Sequence, residues 1–132
     1  MLCVGMQLRR SASQKKDKSK MGRSRFTVIN ESPHFLTCTV VNWIPMFSDP
    51  NIVKLLLDSL MFLQNQQRLK LFAYVIMENH LHLLASAAEL SKEIGNFKSF
   101  TARQIVDYLE EKKHVSLLKQ LSFYKSEHKK DR

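Results

Sequence analysis

Cysteine and long apolar runs are scarce in this sequence, and each shortage removes a class of protein. The two cysteines are Cys3, in a basic tail, and Cys38, in a stretch of strand character. Neither a disulfide framework nor a cysteine-based zinc cluster is therefore indicated. No apolar run approaches the roughly 20 residues that a helix needs to cross a bilayer. Residues 1–6 are too short for the apolar core of a secretory signal, and the basic residues follow them rather than precede them. The expectation is a cytoplasmic protein without a membrane segment. No internal repeat is visible. A chain of 132 residues with 44% apolar and 25% charged side chains suits one globular domain with a real core.

Acidic residues are few at the ends. Net charge is +9, and Arg9, Arg10, Lys15, Lys16, Lys18, Lys20, Arg23 and Arg25 against Asp17 alone place +7 in the first 25 residues. Residues 125–132 add +2, while residues 26–124 are neutral, with nine basic and nine acidic side chains. Basic arms of this kind neutralise phosphates and release counterions, although a plain solvated leader has the same pattern. Met21-Gly-Arg offers an alternative start. The expected division is a basic, disordered leader over residues 1–21 and one domain over residues 22–132.

What is present centres on residues 71–86. Residues 71–77 carry no charge and read as a strand buried on both faces. Glu78-Asn79 interrupts the run, and Leu83 and Leu84 resume it after His80 and His82. In a strand, side chains at i and i+2 share a face, so the two imidazoles project together while Leu81 and Leu83 enter the core. Two imidazoles on one rigid strand suit a single metal ion, with a third ligand from elsewhere. An ordinary solvated pair has the same spacing.

Around this hairpin, residues 34–43 are rich in β-branched and aromatic side chains and read as the first central strand. Residues 25–29 read as a short extended segment before Pro33. Trp43 and Phe47 are expected in or at the edge of the core, with base stacking as the alternative. Ser48-Asp49-Pro50 starts a helix whose apolar face holds Ile52, Leu55, Leu56, Leu60 and Leu63, broadened by Met61 and Phe62. A second helix begins at Leu90, with Ile94, Phe97, Phe100, Thr101, Ile105, Tyr108 and Leu109 on one face. The charged run of residues 110–113 breaks it, and a final helix follows from Val115. The expected class is α+β, a ferredoxin-like β-α-β-β-α order with an antiparallel sheet, then a C-terminal helix.

The run Tyr-Val-Ile-Met-Glu-Asn-His-Leu-His-Leu-Leu, residues 74–84, resembles the central motif of the single-tyrosine transposases of the HUH class. The nearest likeness is to the REP-associated tyrosine transposases, in which Met-Pro-Asn-His leads into His-hydrophobic-His. Thr-Val-Val-Asn at residues 39–42, Pro-Met-Phe at 45–47 and Lys-Ser-Phe-Thr-Ala-Arg at 98–103 match in the expected order. The likeness covers residues 22–108.

The resemblance implies that His80, His82 and a polar third ligand hold a divalent ion, Mg²⁺ or Mn²⁺, on single-stranded or hairpin DNA. A tyrosine then attacks the phosphorus, leaving a 5′-phosphotyrosine and a free 3′-hydroxyl. It further implies a homodimer, and Lys98 and Arg103, with Arg23 and Arg25 of the arm, as phosphate contacts. Mg²⁺ prefers oxygen, so two imidazoles favour Mn²⁺ in binding. Tyr74 and Tyr108 read as structural. Tyr124 is the remaining nucleophile, and His128, one helical turn on, the remaining third ligand. Two departures stand against this: Glu78 replaces the usual proline, and the chain ends at Arg132, where members generally continue. A copy truncated at its C-terminus, binding nucleic acid without cutting it, is the alternative function; a poorly folding remnant is a third.

Overall fold

The computed structural model describes residues 31–130, and their side chains as far as residue 126. The leader, the extended segment at 25–29, Arg23 and Arg25 lie outside the described residues. The elements run β1 (His34–Thr39), two 3₁₀ turns (Val41–Trp43 and Met46–Ser48), α1 (Pro50–Asn65), β2 (Lys70–Ile76), β3 (His80–Ser86), α2 (Leu90–Glu111) and α3 (Val115–Lys130). This is the expected α+β order.

Among the described residues one antiparallel sheet has the order β1-β3-β2. β3 therefore lies between the two strands that α1 connects, as in a split β-α-β arrangement. Cross-strand partners share a face, so Leu36 opposite Leu83 and Cys38 opposite Leu81 form the inner layer. These four side chains are fully buried with Leu56 and Leu60 of α1 and Ile94 and Ile105 of α2. The helices thus cover one face of the sheet, and His80 and His82 stand on the other.

The helix ends are explained locally. Asp49 caps α1 by accepting the Asn51 backbone N–H at 2.8 Å, and Pro50 fills the first turn, where no N–H is needed. α1 and α2 both finish in Schellman motifs. In α1, Gln67 N–H bonds Gln64 O and Arg68 N–H bonds Leu63 O; in α2, Lys113 N–H bonds Glu110 O and His114 N–H bonds Leu109 O. Gln67 and Lys113 occupy the left-handed position at φ 54° and φ 56°, where glycine is usual.

Four expectations need correction. β1 ends at Thr39 instead of reaching Trp43, because Asn42 and Trp43 take left-handed φ values of 51° and 54° and turn the chain out of the sheet. β2 is not buried on both faces: it is an edge strand, and Phe72, Tyr74 and Val75 are about half exposed. Trp43 is not core but 63% exposed, whereas its supposed companion Phe47 is buried. Phe100, Met61 and Phe62, expected on apolar helix faces, are each more than half exposed.

Candidate metal and nucleic-acid site

The site begins with the turn before β3. Met77 N–H bonds His80 O at 2.8 Å and closes a two-residue loop, Glu78-Asn79. That loop is fastened from outside: Val40 N–H donates to Asn79 O at 2.9 Å, and Phe47 N–H to Glu78 O at 2.8 Å. Glu78 in place of proline therefore leaves the turn anchored, and its own side chain is exposed.

His80 and His82 then project from the open face with ring centroids 4.7 Å apart and planes at 80°. Each ring is oriented through Nδ1. His80 Nδ1 lies 2.7 Å from Asn79 Oδ1, and His82 Nδ1 lies 2.9 Å from Thr37 Oγ1. With the proton on Nδ1, both rings donate to these oxygens and keep a lone pair on Nε2, which has no other hydrogen-bond partner among the described residues. Metal-binding histidines are oriented in this way. Partial burial, and then the neighbouring His80, hold His82 below the ordinary imidazole pKa, so it is neutral and able to ligate near pH 7.

Two aromatic rings flank the pair. Phe35 stacks on His82 at 5.2 Å and 25°, and Trp43 meets His80 edge-on at 6.0 Å. Consecutive left-handed residues without glycine cost on the order of 1 kcal/mol each. Here Trp43 N–H bonds Val40 O at 3.1 Å and Asn79 Nδ2–H bonds Trp43 O at 3.4 Å, which offsets part of that cost.

The donor set fits a divalent ion of borderline softness in that it supplies two neutral imidazole nitrogens. Among the described residues no group of three ligating side chains occurs. His128 is the fourteenth residue of α3, and its side chain lies outside the described ones. Tyr124, on the same helix, is half-buried against the core in the helical layer, its ring 5.2 Å from Phe123, and no contact among the described residues joins it to the histidines on the open face. α3 rests on α2 and on the turn Val41–Trp43, which carries Trp43 to His80.

The other two tyrosines are occupied elsewhere. Tyr74 pairs with Leu83 in register and so belongs to the face opposite the imidazoles. Tyr108 donates to Asp49 Oδ2 at 2.8 Å and accepts from Asn51 Nδ2 at 3.1 Å. The Asp49 hydrogen bond, and then desolvation, raise the Tyr108 pKa, the wrong direction for a phenolate nucleophile. Burial alone would raise the Asp49 pKa, but the Asn51 N–H, the Tyr108 hydroxyl, the Asn51 side chain and His114 together lower it.

Lys98 and Arg103 lie on α2, in the helical layer, and no contact among the described residues joins them to the histidines. Arg103 and Lys125 instead line a cleft of about 490 Å³ between α2 and α3, floored by Ile105, Leu118 and Leu121. Thr37 and Asn79 were not anticipated as partners of the pair. Asn79 is adjacent in sequence and could have been; Thr37 becomes a neighbour only through the register that sets it opposite His82.

Comparison with known proteins adds one match. The family model described as "Transposase IS200 like" matches residues 27–129. No curated protein and no solved structure matches the chain.

Proposed function

The chain belongs to the IS200-like transposase family, and on that premise we propose that it cuts and rejoins single-stranded or hairpin DNA at the open face of its sheet. Membership implies a DNA partner. The observation that carries the reading to this face is the His80–His82 pair, with both Nδ1 atoms turned to oxygens and both Nε2 atoms left for a ligand.

His80 and His82 would hold Mn²⁺ or Mg²⁺, with His128 as third ligand, while Thr37 and Asn79 fix the rings. A bound divalent ion supplies charge to a phosphodiester oxygen as negative charge builds there. Tyr124 is the proposed nucleophile: its oxygen bonds to phosphorus as the bond from phosphorus to the 3′ oxygen breaks, and that oxygen leaves with a proton as a free hydroxyl. Reversal with a new 3′-hydroxyl joins a strand and frees the tyrosine. Arg103 beside Lys125, Lys98, and Arg23 and Arg25 of the basic arm would take phosphates away from the cut. Within the family, the REP-associated branch fits the motif at residues 74–84.

A homodimer is part of the reading, supported by the exposed apolar edge at Phe72, Tyr74, Val75 and Met77. Among the described residues no helix is long and apolar enough to cross a membrane, and the cytoplasm is the proposed location.

The test is incubation of the full chain with Mn²⁺ and labelled single-stranded hairpin DNA, followed by denaturing electrophoresis. A protein–DNA adduct lost in Tyr124→Phe and in His80→Ala supports the reading. Salt-dependent binding without adduct, unchanged by His80→Ala, replaces it with the non-cutting binding domain.

A further inference from the structure

Four rings stand in a row along β3: Phe35, His82, His80 and Trp43, with successive centroids 5.2, 4.7 and 6.0 Å apart. Trp43 at its end is 63% exposed and held at φ 54°, a backbone conformation that a bulky side chain rarely takes. Neither fact serves the core. Trp43 is mostly exposed, whereas Val41 and Ile44 of the same turn are 4% and 5% exposed. The left-handed pair Asn42-Trp43 turns the indole out of the fold and sets it beside His80. Unfavourable backbone that persists while exposing a large aromatic ring points to a ligand for that ring.

The neighbouring groups define the ligand's chemistry. An indole offers a flat π face, and bases stack on such faces regardless of sequence. The imidazole pair beside it is the part of the site suited, directly or through an ion, to a phosphate. A flat apolar group joined to a phosphate at one ring's distance is a nucleotide, and the open sheet face admits a strand whose bases are not already paired. We infer that Trp43 is a stacking platform for the base next to the phosphate at His80 and His82, with Phe35 closing the far end of the row. The inference rests on the DNA-cutting reading and adds to it a binding residue outside the metal ligands.

Trp43 is the chain's sole tryptophan, so its fluorescence reports the contact directly. The full chain would be titrated with an oligothymidine of about eight nucleotides, within the usual range of single-strand site sizes, and with an abasic strand of equal length and charge. The expected result is quenching by oligothymidine and none by the abasic strand. Trp43→Ala should bind oligothymidine about tenfold more weakly, Trp43→Phe should recover most of that loss, and the abasic strand should bind all three forms alike. Trp43→Gly, which removes the strain at φ 54°, should keep the melting temperature or raise it while still binding weakly, a combination that a packing role would not give. Oligothymidine bound with unchanged emission and equal affinity for Trp43→Ala would overturn the stacking role and leave the DNA-cutting reading standing. Failure of the unmodified chain to bind either strand would remove both.

Discussion

Replacing Thr37 with valine tests whether the imidazole pair is built to hold a metal ion. The substitution keeps the branched shape at a half-buried strand position but deletes the oxygen 2.9 Å from His82 Nδ1. Two consequences separate cleanly. Loss of one partly exposed hydrogen bond should lower stability by roughly 1 kcal/mol or less, because its net contribution is small and valine suits a strand. The effect on the ion should be larger: without its oxygen partner His82 loses its preferred tautomer and ring angle, and such outer partners are typically worth about 10–100-fold in metal affinity, or roughly 1.4–2.8 kcal/mol. Free Mn²⁺ can be counted by its paramagnetic resonance signal while the full chain is titrated near neutral pH, with thermal melts as the control for folding. If Thr37→Val binds Mn²⁺ as tightly as the unmodified chain while His82→Ala does not bind, the hydroxyl does not orient the ring. If His82→Ala also binds normally, the pair is not the metal site.

Other perturbations probe the scaffold. Leu83→Ala removes a fully buried side chain from the central strand and should cost about 2–5 kcal/mol in denaturant unfolding; a loss under 1 kcal/mol would mean that β3 is not central. Gln67→Gly and Lys113→Gly should each stabilise by roughly 1 kcal/mol, since both positions are left-handed, and a loss in either would refute the Schellman geometry. Arg68→Ala leaves the largely buried Glu93 without the guanidinium 2.7 Å away, and a loss of roughly 1–3 kcal/mol is expected, reduced in Arg68→Ala with Glu93→Gln. Folding lowers the His82 pKa from its ordinary 6.5, so below that value the unfolded chain binds the extra proton. Its contribution to stability is complete above about 6.5 and lost as the pH falls toward the folded value. His82→Gln should therefore lose less melting temperature than the unmodified chain between about pH 7 and about pH 5; equal losses would assign the dependence to other groups.

Some of this was decided within a few residues and could be read directly. The two-residue period of a strand puts His80 and His82 on one face and Leu81 and Leu83 on the other, whatever the sheet around them. Asp49-Pro50 starts α1 because a carboxylate can cap the first turn and proline needs no donor there, and the charged run at residues 110–113 ends α2 in a local hydrogen-bond motif. The order of strands is a different kind of fact. Residues 71–77 are as apolar as a central strand, but only pairing between distant segments places β3 in the middle and leaves β2 at the edge with Tyr74 exposed. The same pairing sets Thr37 opposite His82, a contact across 45 positions of chain that no local pattern encodes. Trp43 is the plainest case: an aromatic side chain at the end of a strand-like run reads as core, and the two left-handed residues that turn it outward are held by a local bond to Val40 and by a bond from Asn79 that exists only once β1 and the β2–β3 turn have met. Local periodicity thus determined which side chains share a face, and tertiary pairing decided what those faces meet.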